Sequence, residues 1–280
     1  MSAAAAIELV GLSAPAAPQA RTPAVQALDL RVEAGEQVAV IGASGAGKTS
    51  LLLAIAAAVQ PLQGRLRLFG EDPWAMTSAE RQRMRARLLL APQVPPLPPR
   101  QRVATAVLAG GLPHRHDGLG AWWRGLVFGW PEAQARRAHT ALQAFDLGDK
   151  LWQRVDRLSG GERQRVGLAR ALVSQASLWL VDEPLSALDP QRAAQAITSL
   201  QHAARMNGRS LVCTLHQVDV ARERFARIVA LQAGRIVYDG PSAGLDNDLL
   251  DALYRGEAAA SSSPAAPSRA PAGPPGTLCR

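Results

Sequence analysis

Several things are scarce in this chain. Its 280 residues hold two cysteines, Cys213 and Cys279, which make neither a metal-ligand spacing nor a disulfide framework. A reducing, cytosolic setting is expected from that usage. Long apolar runs are missing too: the longest, Leu51 to Val59, covers about half of the roughly 18 residues a membrane-spanning helix needs. No basic segment leading into an apolar stretch and a small-residue cleavage site opens the chain, so export is not expected. Lysine occurs only as Lys48 and Lys150, within 31 basic residues, and aromatic residues are 4% of the total, the first of them Phe69. Apolar residues at 48% and charged ones at 19% exclude a wholly disordered chain. The length is enough for one large domain or two small ones with a real core.

The formal net charge is +8, and a basic chain can contact nucleic acid or anionic lipid. The arginines are scattered, however, except for Arg81, Arg83, Arg85 and Arg87. Alternate spacing spreads those around a helix rather than along one face. A solvated helix is expected there, and a nucleic-acid interface is not.

Along the chain, Ala6–Gly11, Val25–Val32 and Gln37–Ile41 are short apolar stretches that read as strands. A glycine-rich loop follows, then a helix over Thr49–Val59, ended by Pro61 and Gly64, and an alternating strand over Arg65–Phe69. From about Thr77 to Ala176 the pattern predicts helices, interrupted by a proline-rich loop (Pro92–Pro99) and a loop rich in glycine and tryptophan (Gly110–Pro131). Strand patterns return at Leu178–Val181, Ser210–Thr214, Ile228–Leu231 and Arg235–Tyr238, with Ala233-Gly234 as a hairpin turn. A short helix is expected at 246–256. Beyond Gly256 the chain is Ala, Ser, Pro and Gly with little apolar bulk, so a disordered tail over 257–280 is expected.

Gly42-Ala43-Ser44-Gly45-Ala46-Gly47-Lys48-Thr49-Ser50 fits the phosphate-loop pattern G-x-x-x-x-G-K-[ST] in its required place, after a strand and before a helix. The glycines let backbone amides wrap phosphate oxygens, and the helix adds the positive end of its dipole. Lys48 is expected on the outer phosphates and the Thr49 hydroxyl on Mg²⁺. A nucleoside triphosphate is therefore the expected ligand. Ser177-Leu-Trp-Leu-Val-Asp182-Glu183 reads as a buried strand ending in two acids. Asp182 is placed to serve the Mg²⁺ shell from the strand's carboxyl end. Glu183 is placed to polarise an attacking water as general base. By itself this pattern also fits a strand with a solvated acidic turn.

Leu158-Ser159-Gly160-Gly161-Glu162 opens a helical run and forms a second anion-binding helix start. With this segment the chain resembles the ATP-binding-cassette (ABC) ATPases over about residues 6–242. That family's motifs occur once each and in order. The resemblance implies a fold, a P-loop NTPase (RecA-like) α/β core with an antiparallel β subdomain and an inserted α-helical subdomain over about 77–176. The whole ATPase domain would then cover 1–245. It also implies that Ser186-Ala-Leu-Asp189 is the D-loop, His216 the switch histidine and Gln93 the Q-loop glutamine, which shares Mg²⁺ with Thr49 and Asp182. ATP would sit between the phosphate loop of one subunit and the LSGG of another, so a second cassette, most simply an identical one, is implied. One departure is plain: no aromatic precedes the phosphate loop to stack on adenine, since Ser13–Ala24 is rich in Ala and Pro.

The segment Leu215-His216-Gln217-Val218-Asp219-Val220-Ala221-Arg222, followed by Gly234–Gly240, is similar to the phosphonate-type importers. That likeness implies a transmembrane permease and a periplasmic substrate-binding protein as partners, and a peripheral place on the cytoplasmic face of the inner membrane. The loop with Trp122, Trp123, Phe128 and Trp130 reads equally as a permease-docking surface or as cover for the helical core. Pro95–Pro99 reads as a stiff turn, and His114 with His116 lacks the further ligands a metal needs. Two other classes stay open: an ABC ATPase for a different cargo, and a non-transport ABC protein acting on nucleic acid.

Overall fold

The computed structural model describes residues 5–111, 130–186 and 188–261. Two sheets carry the fold. A three-stranded antiparallel sheet has the order β2-β1-β4, from β1 (Ala5–Pro15), β2 (Pro23–Glu33) and β4 (Gln63–Leu68). A six-stranded sheet has the order β5-β6-β7-β3-β8-β9, from β3 (Gln37–Ile41), β5 (Leu88–Ala91), β6 (Leu178–Asp182), β7 (Ser210–Leu215), β8 (Arg227–Gln232) and β9 (Arg235–Pro241). Neighbours from β5 to β8 run parallel, and β9 pairs antiparallel with β8.

The central strands are apolar throughout because both of their faces are covered, as parallel sheets require. Alternation within each strand splits two cores. Val38, Val40, Leu178, Leu180, Val212, Val229 and Leu231 face the antiparallel sheet and helix α1 (Lys48–Ile55). Ala39, Ile41, Trp179, Val181, Leu211, Cys213, Ile228 and Ala230 face the other helices. Leu51 and Leu52 of α1 are fully buried in the first core, each adding about 1.5–3 kcal/mol by leaving water. An aspartate at Leu51 would place an unpaired charge there and break the packing of α1.

On the second face, α3 (Val103–Leu108), α4 (Glu132–Gln143) and α5 (Gly160–Val173) pack on one another, and α5 also meets α6 (Pro190–Met206). Trp130 packs against this core and donates from Nε1 to Thr105 Oγ1 at 2.9 Å. Helix α7 (Val218–Arg224) lies beside β3 and β7. The hairpin between β8 and β9 turns at Ala233 (φ 47°) and Gly234 (φ 77°), the two left-handed residues that a type I′ turn needs.

The structure corrects or refines the sequence pattern in three places. Residues 77–176 are not helical throughout: β5 (Leu88–Ala91) belongs to the parallel sheet, pairing with β6 from Leu88↔Leu178 to Ala91↔Val181. A four-residue apolar run carries no period by which to tell strand from helix. Helix α2 (Ser78–Arg85) is the solvated helix expected, with Met84 its one buried residue, but its arginines also make specific contacts. Arg81 stacks on Trp74 at 4.5 Å and donates to the Pro73 carbonyl, while Arg85 donates to the Ala57 carbonyl. Finally, α8 runs Asn247–Ser261, continuing past Gly256. The remaining tail, 262–280, lies outside the described residues, as do Trp122, Trp123, Phe128, His114 and His116.

Candidate active site

The carboxyl ends of β3, β6 and β7 lie side by side, the crevice where open α/β sheets bind ligands. After Ile41 the chain enters the loop at Gly42 (φ 152°), where a Cβ would lie 2.3 Å from the Leu231 carbonyl oxygen. It leaves at Gly47 (φ 101°), where a Cβ would lie 2.8 Å from Val25 Cγ1. Only glycine fits either position. Between them Ala46 N–H donates to the Ala43 carbonyl at 3.1 Å, and Ala46 accepts from Gly234 N–H at 3.0 Å. Ser44 and Gly45 span the tip, and a Cβ on Gly45 would meet open space. Gly47 caps α1 without a side chain, and no acid stands in the first turn. The first intrahelical bond of α1 runs from Leu51 N–H to the Gly47 carbonyl at 2.8 Å, and the turn ahead of it carries the positive end of the helix dipole, so this helix start suits an anion.

Lys48 is 4% exposed. Its ammonium donates to the Gly42 carbonyl at 2.7 Å and the Ala43 carbonyl at 3.2 Å, and lies 3.6 Å from Glu183 Oε1. Thr49 Oγ1 donates to Asp182 Oδ2 at 2.9 Å, and Thr214 Oγ1 donates to Asp182 Oδ1 at 2.7 Å. Asp182 is 5% exposed, and these bonds offset the cost of burying its charge. A carboxylate beside a hydroxyl is a hard-oxygen pair of the kind Mg²⁺ takes together with phosphate oxygens.

Glu183 adopts φ 46°, a left-handed conformation uncommon outside glycine. Its backbone is pinned from both sides. Thr214 Oγ1 accepts its N–H at 2.9 Å, while Gln164 Nε2 donates to its carbonyl at 2.9 Å. Its side chain, 13% exposed, brings Oε1 to 2.6 Å from His216 Nε2. The structure thus joins Gly42, Ala43, Lys48, Thr49, Asp182, Glu183 and His216 into one constellation.

Three predicted elements lie on other segments. Ser159 caps α5: its hydroxyl accepts from Glu162 N–H at 3.2 Å, and Glu162 Oε2 accepts from Ser159 N–H at 2.7 Å. That amide holds the Glu162 carboxyl below its ordinary value. Gly160 stands open, with nothing within 4 Å of where a Cβ would be, and Gly161 follows it in the helix. Asp189 caps α6 through Arg192 N–H at 3.0 Å, a bond that likewise lowers its pKa. Gln93 is exposed just past the end of β5.

Sequence reading missed Thr214 and Gln164. Thr214 is directly opposite Asp182 in the β6–β7 register. The one signal for it was a hydroxyl near the end of an otherwise apolar strand. Gln164 gave no signal beyond being a polar residue on a helix.

A phosphate cradle, a helix start and two acids at one sheet edge define a P-loop nucleoside triphosphatase. The model of the ABC transporter family matches residues 25–186, and the chain belongs to that family. It is an ATP-hydrolysing cassette. Among its relatives is the phosphonates import ATP-binding protein PhnC of Polaromonas sp., 54% identical over 248 residues, which cover 89% of this chain and 88% of the relative. A protein of the same name, PhnC 1 of Pseudomonas aeruginosa, is 51% identical over 81% of this chain and 84% of its own. The fold matches the ATP-binding cassette MJ0796, solved as a dimer in a post-hydrolysis state bound to ADP and Pi, with a TM-score of 0.70 at 24% identity, over 85% of this chain and all of that one. It also matches cbiO1 of Clostridium perfringens, with a TM-score of 0.69 at 17% identity, over 90% and 95% of the two chains.

Proposed function

We propose that this chain is the ATPase subunit of a phosphonate-type importer, working as a pair of copies that drive a membrane permease. One observation carries the mechanism: Lys48, Thr49, Asp182, Glu183 and His216 converge at the carboxyl edge of one sheet. Lys48 and the α1 amides hold the outer phosphates of ATP. Thr49 and Asp182, with Gln93, are the residues that would hold Mg²⁺, whose chemistry is to neutralise charge on the phosphate oxygens. Glu183 takes a proton from the attacking water as its oxygen bonds the γ-phosphorus and the bond from that phosphorus to the bridging oxygen breaks, releasing ADP. His216 fixes the orientation of that carboxylate, which a flexible side chain would otherwise sample widely.

Ser159, Gly160 and Gly161 form a second anion-accepting helix start, at α5 rather than at α1. They therefore serve the nucleotide held by the second copy, with Asp189 at the same seam. ATP closes the pair, and hydrolysis lets it reopen, a population shift driven by the ligand's preference for the closed form. No helix among the described residues is long and apolar enough to cross a membrane, which fits a subunit seated on the cytoplasmic face of the inner membrane. The permease and a periplasmic substrate-binding protein complete the system, a reading supported by the import names of relatives above 50% identity. The test is to reconstitute the chain with permease and binding protein in vesicles. An alkylphosphonate should stimulate ATP hydrolysis, whereas equal stimulation by an amino acid and none by the phosphonate would assign another cargo.

A further inference from the structure

Gln164 lies on α5, about one and a half turns past the Ser159 cap. It is 5% exposed, and its amide does not stay within its own helix. Nε2 donates to the Glu183 carbonyl at 2.9 Å and to Ser186 Oγ at 3.1 Å, and Ser186 Oγ in turn donates to the Glu183 carbonyl at 3.3 Å. One side chain therefore ties the helix that carries Ser159-Gly160-Gly161 to the backbone of the residue next to Asp182. The other pin on that backbone, Thr214, belongs to the sheet.

Glu183 needs both pins. A left-handed φ on a residue with a Cβ costs about 1–3 kcal/mol and persists only where its surroundings over-determine it. That conformation aims the carboxylate at His216 and Lys48. A shift of α5 pulls on the Glu183 carbonyl through this part-buried bond, and so turns the carboxylate.

We infer that Gln164 is a positioning residue that couples the chain's two half-sites, setting Glu183 at its own nucleotide according to how the Ser159-Gly160-Gly161 cap is seated on the partner's. This rests on the paired arrangement under Proposed function. The two sites then share a coupling free energy through a physical link, as coupling between sites requires.

The test compares wild type with Gln164→Met, which keeps the volume and loses the donor, and with Gln164→Glu, which keeps the shape and donates only when protonated. A fluorescent ATP analogue reports binding, and the ATP dependence of hydrolysis gives kcat, KM and the Hill coefficient. For Gln164→Met, binding and KM should stay within about twofold. Its kcat should fall about tenfold or more, as for a misplaced reacting group, with the Hill coefficient dropping toward one. For Gln164→Glu, kcat relative to wild type should rise as pH falls and the carboxyl gains its proton. This second variant decides the matter if the first does not fold. Wild-type kcat in Gln164→Met, or a flat ratio near one across pH in Gln164→Glu, overturns the positioning role. A kcat loss with wild-type cooperativity overturns the coupling. Wild-type hydrolysis by a monomer, without cooperativity, would instead remove the paired site and the coupling with it.

Discussion

Thr214 faces Asp182 across the β6–β7 register, and its one hydroxyl donates to Asp182 Oδ1 at 2.7 Å while accepting the Glu183 N–H at 2.9 Å. Two neighbouring acids are thus set by a single oxygen that is fully buried. Thr214→Val keeps the shape and removes that oxygen, leaving a buried carboxylate oxygen and a backbone amide short of a partner. Each such loss costs about 1–3 kcal/mol. Chemical denaturation should show a loss of about 2–6 kcal/mol for the two groups together, and ATP hydrolysis should fall with it. A variant of wild-type stability and turnover would show that the hydroxyl organises nothing.

Glu183→Gln keeps hydrogen-bonding capacity toward His216 but cannot take a proton. ATP binding should survive, while hydrolysis slows about 10²-fold or more, the usual loss for a general base. Single-turnover hydrolysis at near wild-type rate would remove Glu183 from that role.

Gly47→Ala forces a Cβ against Val25 Cγ1 and the Ala24 carbonyl at 2.8 and 2.9 Å, at a φ of 101°. Neither the loop nor the start of α1 can hold its path, so ATP affinity should fall about tenfold or more, equivalent to 1.4 kcal/mol. Equilibrium binding of labelled ATP measures this, and unchanged affinity would contradict the cradle as described.

The cap of α5 carries a pH signature. Glu162 is held below its ordinary value by the Ser159 amide, so its ionised form stabilises the folded state. That contribution is complete above the carboxyl's unfolded-state value and is lost as pH falls through the lower folded-state value. Wild type should therefore melt above Glu162→Gln by a constant margin near neutrality, and the margin should shrink below the ordinary glutamate range. A margin that grew on acidification would reverse the sign.

The stretch before the phosphate loop has no aromatic, and Ala16–Gln19 and Arg21–Pro23 are exposed. With no ring to stack on the base, ATP and GTP affinities should lie within about tenfold, or 1.4 kcal/mol. A larger gap would mean that another group reads the base.

The parts of this site that the sequence made legible are those whose chemistry is local. Gly42, Gly47 and Lys48 announce themselves because a phosphate cradle needs glycine backbones and a cation within a few residues. The central strands were legible as strands from their apolar composition, but the order in which they pair came only with the fold. What stayed hidden depends on contacts between distant segments. Thr214 looks like one more strand residue until register sets it beside Asp182. Gln164 looks like a polar position on α5 until the fold lays it against Glu183. Leu88–Ala91 is too short for periodicity to identify, and the arginines of α2 find Trp74 and carbonyls that no spacing rule would assign to them.

The account stands on ATP bridging two copies of this chain, each supplying the piece the other lacks. The most direct measurement is the solution mass of Glu183→Gln by light scattering or sedimentation, with and without ATP. A monomer that doubles in mass when ATP is added, and returns when ATP is withdrawn, is the predicted result. A species that remained single at every protein and nucleotide concentration would contradict it.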